Sequence, residues 1–158
     1  MGGGTVGVRT AVLKHPVLQG IDRGLLAQFQ DSVSSVHLDA GQTVFRAEED
    51  AKYVYLILSG QVAIQLYVPG RGAVTVQTVG AGEVLGYSWF LGAQRWHFDA
   101  VALEETWAAA VDADDIRRKC EADHDFGYEI AKRVVGVIAG AVEATRWQLL
   151  DVYGKADQ

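Results

Sequence analysis

The sequence predicts a β domain with C-terminal helices: an eight-stranded antiparallel β-roll or jelly roll, flanked by a short N-terminal helix and a long C-terminal helix. Three observations lead to this fold class. From residue 33 to about residue 111, short alternating or apolar runs are separated by turn residues. From residue 112 onward, apolar residues recur at helical spacing. The length of 158 residues suits one domain with a buried core.

The N-terminal region predicts two short helices ahead of the strands. Residues 1–9 are rich in glycine and are expected to be flexible, so the predicted domain spans residues 10–158. A short helix is expected around residues 12 and 13, ending before Pro16. Asp22 has the character of an N-cap, and the apolar spacing after it predicts a helix from about Arg23 to Gln30.

Strand patterns then recur through the middle of the chain. The segments that carry them are residues 33–38, 43–45, 53–58, 61–67, 73–79, 99–103 and 106–111. Pro69-Gly70-Arg71-Gly72 is a strong hairpin turn between two of them. About eight short strands with turns at this spacing are typical of a sandwich, jelly roll or barrel, which places the β-roll at about residues 33–111.

The last third predicts two helices, within about residues 112–153. Asp112 or Asp114 is suited to cap the first, which runs to about Glu121. The second runs from about Asp125 to Tyr153 and contains a stretch, residues 134–142, with no polar side chain. A helix that is apolar all round is buried on every side, here by its own β domain, or is shared with a partner.

A partner helix is the favoured interpretation, because one small domain rarely covers every face of so long a helix. Gly136 and Gly140 lie one turn apart and would let two backbones approach closely. The sequence therefore predicts a homodimer. The candidate dimer residues are Phe126, Ile130, Val134, Val137, Ile138, Ala141, Thr145 and Leu149.

Composition narrows the function classes. The net charge of −6 argues against a nucleic-acid surface, which needs clustered Lys and Arg. A single cysteine, Cys120, excludes an internal disulfide and favours a reducing cytoplasm. The N-terminus lacks the pattern of a signal peptide, and no apolar run is long enough to span a membrane. The expected protein is cytoplasmic, with no nucleic-acid or membrane partner.

The stretch from Gly80 to Ala102 carries the candidate binding residues. It combines four glycines, five aromatic residues, one cation and one histidine between apolar β-type segments. A short glycine-bounded turn with exposed N–H groups and a nearby cation is suited to hold an anion. The candidate ligand-binding residues are Gly86, Tyr87, Ser88, Trp89, Arg95, Trp96 and His97.

Three local motifs resemble those of the cyclic nucleotide-binding domain, as in the catabolite activator protein family. Asp39-Ala-Gly41-Gln resembles the first glycine turn of that family, and Tyr53-V-Y-L-I-L-S-Gly60-Q-V-A-I resembles its strand–glycine–strand segment. Val79-G-A-Gly82-E-V-L-Gly86 resembles the start of its phosphate-binding cassette. The likeness covers about residues 12 to 150. It implies a β-roll that holds a cyclic nucleotide and transmits the signal to a C-terminal, usually dimeric, helix.

The chain departs from the family pattern where ligand contacts are expected. Ligand-binding members have a glutamate after the cassette glycine that binds the ribose; here that residue is Tyr87. The phosphate-binding arginine falls on Trp96, with Arg95 one place earlier. A one-residue shift in an extended segment points a side chain to the opposite face, unless a shorter loop restores the register. Glu48 replaces a frequent glycine, and the helix that would cover the base is apolar near Ala141.

These departures leave two interpretations of the aromatic residues. Tyr87, Trp89 and Trp96 either fill the pocket or stack on a planar ligand while Arg95 pairs with an anionic group. No cofactor is therefore predicted with certainty, and the candidate ligand is a cyclic nucleotide or another small anionic molecule. Cyclic AMP itself is not the expected ligand.

Three functions follow from the sequence, in decreasing order of support. The first is a stand-alone regulatory or sensor module that acts through contacts with an unidentified protein partner. The chain ends at Gln158, which leaves no room for a helix-turn-helix. The second is a ligand-free dimeric scaffold with an aromatic-filled pocket. The third, a cupin-type enzyme, needs a cluster of His and Glu ligands, but His15, His37, His97 and His124 are far apart. No catalytic or metal-binding residue is predicted.

Overall fold

Eight antiparallel strands form two four-stranded sheets in a computed structural model that describes residues 7, 10–91 and 94–156. The strands are β1 (Val33–Leu38), β2 (Thr43–Phe45), β3 (Tyr53–Ser59), β4 (Gln61–Val68), β5 (Gly72–Gly80), β6 (Val84–Leu85), β7 (Asp99–Ala102) and β8 (Thr106–Asp112). The helices are α1 (Arg23–Gln30), α2 (Ala113–Ala122) and α3 (His124–Ala156), with 3-10 helices at Pro16–Leu18 and Tyr87–Leu91. The predicted fold class is confirmed.

The two sheets have the orders β1-β8-β3-β6 and β2-β7-β4-β5. Most strand bounds agree with the sequence patterns to within one or two residues. The sequence pattern missed β6 and both 3-10 helices, because two-residue strands and single turns leave no periodicity to detect. The predicted flexible segment, residues 1–9, lies outside the described residues except for residue 7.

Two hydrophobic cores lie on the two faces of the first sheet. The inner core fills the space between the sheets, and β8 supplies Ala108 to it. The outer core lies between the first sheet and the helices, and the next residue of β8, Ala109, belongs to it. Successive strand residues point to opposite faces, so β8 is apolar on both. The inner core consists of Phe45, Ile57, Val62, Val79, Leu85, Trp96, Ala100 and Ala108.

The helices begin where the sequence predicts. The carboxylate of Asp22 accepts a hydrogen bond from the backbone N–H of Gly24, and that of Asp112 accepts one from Asp115. These are N-cap contacts, which satisfy N–H groups that have no partner in the first turn of a helix.

Helix α3 packs on the roll only along its first half. Phe126 is fully buried and Ile130 is 5% exposed, and both belong to the outer core with Val134 packed against them. Every residue from Val142 to Gly154 is exposed. The prediction that Phe126 and Ile130 face a partner is therefore corrected: the outer core of the same chain buries both, and it covers Val134 in part.

Candidate functional site

Trp96 occupies the interior of the roll, where the sequence placed a candidate ligand contact. Its side chain is 4% exposed and stacks on Phe45, with ring centroids 4.0 Å apart and an interplanar angle of 14°. The ring also covers Gly86: a Cβ atom built there would lie 2.6 Å from Cη2 of Trp96. Gly86 has φ +90°, a conformation that favours glycine. The structure therefore brings Gly86 and Trp96 into contact.

A loop of the first half of the chain holds Trp96 in place. The N–H of Trp96 donates to the carbonyl of Glu49 at 3.0 Å, and its carbonyl accepts from the N–H of Glu48 at 2.8 Å. Glu48 has φ +73°, in the left-handed region that favours glycine, which agrees with the glycine that the resemblance assigned to this position. The backbone of this loop is thus hydrogen-bonded to the backbone of the segment that carries Trp96.

Arg95 and His97 flank Trp96 in the sequence. Both are exposed, and Arg95 forms an isolated β-bridge with Asp50. In extended backbone, the neighbours of a residue point away from it, so the burial of Trp96 turns both side chains outward. The pairing of Arg95 with an anion at the cassette glycine therefore stays a prediction.

Trp89 lies in the outer core, away from the roll interior. It is 4% exposed and packs in the cluster that also contains Phe126. The guanidinium of Arg117 lies 5.7 Å from the ring centroid, and Nη2 donates to the carbonyl of Trp89 at 3.3 Å. The segment from Gly86 to Phe98, here called the cassette segment, is therefore anchored by one tryptophan in each core.

Tyr87 and Ser88 are half-buried at the start of the 3-10 helix. Tyr87 lines a groove of about 490 Å³ between the roll and α3. Glu83 and Gln77 border it on the roll, and Arg133 and Gly140 on the helix. A second, apolar cavity of about 60 Å³ lies behind Tyr87 and Trp89. The phenol thus faces the helix.

Phe45 and Tyr55 complete the aromatic cluster, and sequence reasoning missed both. Tyr55 lies 6.3 Å from Phe45 and 6.2 Å from Tyr53 between ring centroids. Burial raises the pKa of the Tyr55 hydroxyl, and the charges of Tyr53 and Glu49 add to that effect. A signal was available: the two-residue period of β3 puts Tyr55 on the same face as the buried Ile57.

Two further classes of site are absent from the described residues. In residues 10–91 and 94–156, no three side chains of His, Cys, Asp or Glu lie together in a way that could hold a metal ion. None of the described helices combines the length and the apolar content that a bilayer span requires.

The model of the cyclic nucleotide-binding domain family matches residues 35–123, more than half of the chain. The chain belongs to the cyclic nucleotide-binding domain family. This family comprises regulatory and sensor domains. Comparison with curated protein sequences gives no match.

Solved structures of this family share the fold. A cyclic nucleotide-binding domain from Methylobacillus flagellatus KT has a TM-score of 0.76 at 16% identity, covering 93% of this chain and 83% of that one. The N-terminal domain of a transcriptional regulator from Streptomyces coelicolor A3(2) has a TM-score of 0.68 at 18% identity, covering 85% of this chain and 94% of that one. The regulatory domain of Toxoplasma gondii PKA, solved with cAMP, has a TM-score of 0.68 at 14% identity, covering 88% of this chain and 50% of that one.

The resemblance to this family predicts that ligand contacts lie inside the roll. The two polar contacts that it assigns to ribose and phosphate correspond to Tyr87 and Trp96, and neither side chain offers a carboxylate or a guanidinium. Trp96 also fills the space beside Gly86.

Proposed function

We propose that this protein is a regulatory module of the cyclic nucleotide-binding fold that works without cyclic AMP and acts through protein contacts. The observation that carries the proposal is the indole of Trp96, stacked on Phe45 and closed against Gly86 inside the roll. An anionic sugar phosphate needs paired donors for its phosphate and an acceptor for its hydroxyls. Trp96 supplies no charged donor for a phosphate inside the roll, and Tyr87, which borders the groove, supplies no carboxylate for the hydroxyls.

Cyclic nucleotides are expected to leave the melting temperature of the protein unchanged. A ligand at one hundred times its Kd stabilises the folded state by about 2.7 kcal/mol. In a domain of about 150 residues this would raise Tm by several degrees, at about 2–4 °C per kcal/mol. Thermal shift with cyclic AMP, cyclic GMP and cyclic dinucleotides, each at 1 mM (a chosen concentration of roughly one hundred times a 10 μM Kd), tests this.

The double variant with Trp96→Arg and Tyr87→Glu is compared with the native protein in the same thermal-shift experiment. It restores the two polar side chains that the resemblance assigns to phosphate and ribose, while the rest of the chain is unchanged. A saturable shift of the native protein would overturn the proposal. A shift of the double variant alone would locate the loss of binding at these two residues.

A small-molecule sensor is the second candidate, favoured by the groove of about 490 Å³ beside Tyr87. Its volume lies within the range of roughly 300–1,000 Å³ that is usual for ligand sites. A ligand-induced shift in melting temperature that Tyr87→Ala abolishes, and that Arg95→Ala leaves intact, would favour this candidate, since Arg95 is not among the residues that line the groove.

The first protein contact that we propose for the module is homodimerisation, in which α3 packs against α3 of a second copy of the chain. Apolar side chains recur on one face of this helix at spacings of three and four residues, the seam of a coiled coil. This seam, here called the α3 seam, consists of Tyr128, Val135, Ile138, Val142, Leu149 and Val152. Four of its members are at least 53% exposed and Val142 is 46% exposed, which is a large unpartnered apolar surface.

The α3 seam revises the residues proposed for the dimer. Ile138 and Leu149 of the predicted set lie on it, and Thr145 occupies the heptad position between them. Val137 and Ala141 instead line the groove on the side of the roll. The proposed interface therefore lies on a different face of α3 from the one that covers the outer core.

Leu149→Asp is expected to weaken the proposed dimer by at least about 30-fold in Kd, which corresponds to 2 kcal/mol, the usual threshold of an interface hot spot. A buried carboxylate in an apolar seam is left without a partner. Sedimentation velocity across a concentration series measures the effect.

Leu150→Asp is the matched control, because Leu150 is similarly exposed but lies off the α3 seam. It makes the same chemical change on the next residue and is expected to leave the Kd within about threefold, as surface substitutions usually do. A native protein that stays monomeric at high micromolar concentration, or two variants with equal effects, would argue against this dimer.

A further inference from the structure

His15 is buried between the N-terminal segment and the turn that leads into the cassette segment. It is 3% exposed. Its Nδ1 accepts a hydrogen bond from the backbone N–H of Val17 at 3.2 Å, and its Nε2 lies 3.2 Å from the carbonyl oxygen of Glu83. A carbonyl oxygen only accepts, so Nε2 carries the hydrogen and Nδ1 does not. Both ring nitrogens are thus used by one neutral tautomer.

The residues after His15 join two parts of the molecule. On one side, the ring of Pro16 packs on the leading turn, residues 80–83: a Cβ atom on Gly82 would lie 3.4 Å from Cγ of Pro16. On the other side, Nη1 of Arg133 in α3 donates to the carbonyls of Val17 and Gln19, each at 2.8 Å. Residues 15–19, here called the clasp, therefore link the leading turn to α3.

We propose that the clasp is a proton-sensitive latch, in which protonation of His15 releases the leading turn from the N-terminal segment and from α3. A second proton would sit on Nδ1 and face the N–H of Val17, so a hydrogen bond would become a contact between two donors. The imidazolium would also carry its charge in a buried position, which is costly without a paired anion. The released state places the ring in water.

The charged groups around the ring do not supply that anion. The leading turn contributes Glu83, but its Oε1 accepts the backbone N–H of Gly80 at 2.9 Å and its side chain is exposed. Strand β3 contributes a backbone carbonyl, that of Ile57. The segment of His15 contributes Lys14, and α3 contributes Arg133, which binds the carbonyls of Val17 and Gln19; both are cations.

The direction of the pH dependence follows from burial. Burial lowers the pKa of His15 below its ordinary value of 6.5, and the carbonyls of Glu83 and Ile57 oppose this less strongly. Where the open state binds a proton and the closed state does not, acid favours opening. The latch is therefore closed above pH 6.5 and opens increasingly as the pH falls below it, by up to about tenfold per pH unit.

Amide hydrogen exchange of the full chain tests the latch. The N–H of Val17 is the reporter, because it donates to His15, and the N–H of Ala109 in β8 reports global unfolding. After correction for intrinsic exchange, Val17 is expected to open with a smaller free energy than Ala109, and its opening is expected to increase between pH 6.5 and pH 5. Equal opening free energies at both amides, or no increase at Val17 over this pH range, would overturn the proposal, because the first would mean that only the whole fold opens and the second that His15 is not linked to the opening.

Two variants assign the effect to this ring. His15→Asn keeps an acceptor for the N–H of Val17 but does not titrate, so opening at Val17 is expected to lose its pH dependence. His97→Asn removes an exposed imidazole and is expected to keep the native profile. Should the first variant fail to fold, the NMR titration of His15 in the native protein decides: a pKa of 6.5 or higher, or a hydrogen on Nδ1, overturns the latch.

Discussion

Trp96→Gly is expected to lower the free energy of unfolding by about 3–5 kcal/mol, the usual cost of removing a buried aromatic ring. The indole is almost completely buried, stacks on Phe45 and covers Gly86, so its loss leaves a cavity inside the roll. The roll cannot collapse freely, because the backbone of the segment is paired with Glu48 and Glu49. Urea unfolding of both proteins measures the difference.

The cavity of Trp96→Gly is expected to bind free indole. A ligand that binds only the folded state at ten times its Kd would restore about 1.4 kcal/mol of stability. Trp107→Gly is the control: Trp107 is 39% exposed on the sheet surface, so its removal leaves no enclosed space. Equal losses of stability in both variants, or no response to indole in the first, would contradict the description of Trp96 as the occupant of the roll.

The fold was predictable because each of its signals is local and repeated. Alternation in β1 and β4, the Asp22 and Asp112 caps and the apolar spacing of α3 depend on neighbours within a few residues. The positions of these elements follow from such patterns even where the tertiary contacts are unknown. The short strand β6 and the 3-10 helix at Tyr87–Leu91 lack a period, and only tertiary contacts define them.

The sequence predicted which residue types lie at the candidate site, but it did not predict which of their side chains point into the roll. The substitutions at Tyr87 and Trp96 were visible in the sequence, and they identified the segment that departs from the family. Which of Arg95 and Trp96 points inward depends on the pairing with Glu48 and Glu49, two residues almost fifty positions earlier. A one-residue change of register reverses the answer, and no local pattern fixes it.

The same limit applies to α3. Heptad spacing is present in the sequence, but Phe126 and Ile130 follow the same helical spacing as the α3 seam. Only the packing on the roll separates the covered face from the exposed one. Periodicity therefore predicts how many apolar faces a helix has, while the tertiary structure assigns each face to the core or to solvent.

Gly86→Ala is expected to destabilise the protein by about 2–5 kcal/mol, through two separable causes. The first is backbone strain at φ +90°, which costs an L residue about 1–2 kcal/mol. The second is the contact of the new Cβ atom with Trp96 at 2.6 Å, an overpacking that costs about 1–3 kcal/mol. Urea unfolding again provides the measurement.

Gly41→Ala isolates the first cause, since Gly41 has φ +88° and nothing lies within 4 Å of its added Cβ atom. It is expected to cost only the strain, about 1–2 kcal/mol. The additional destabilisation by Gly86→Ala, beyond that of Gly41→Ala, should then vanish in the Trp96→Gly background. The new Cβ atom contacts the indole directly, so the effects of the two substitutions are not additive. An excess that persists without the indole would place its origin elsewhere than in the contact between Gly86 and Trp96, and would remove the main support for a filled roll.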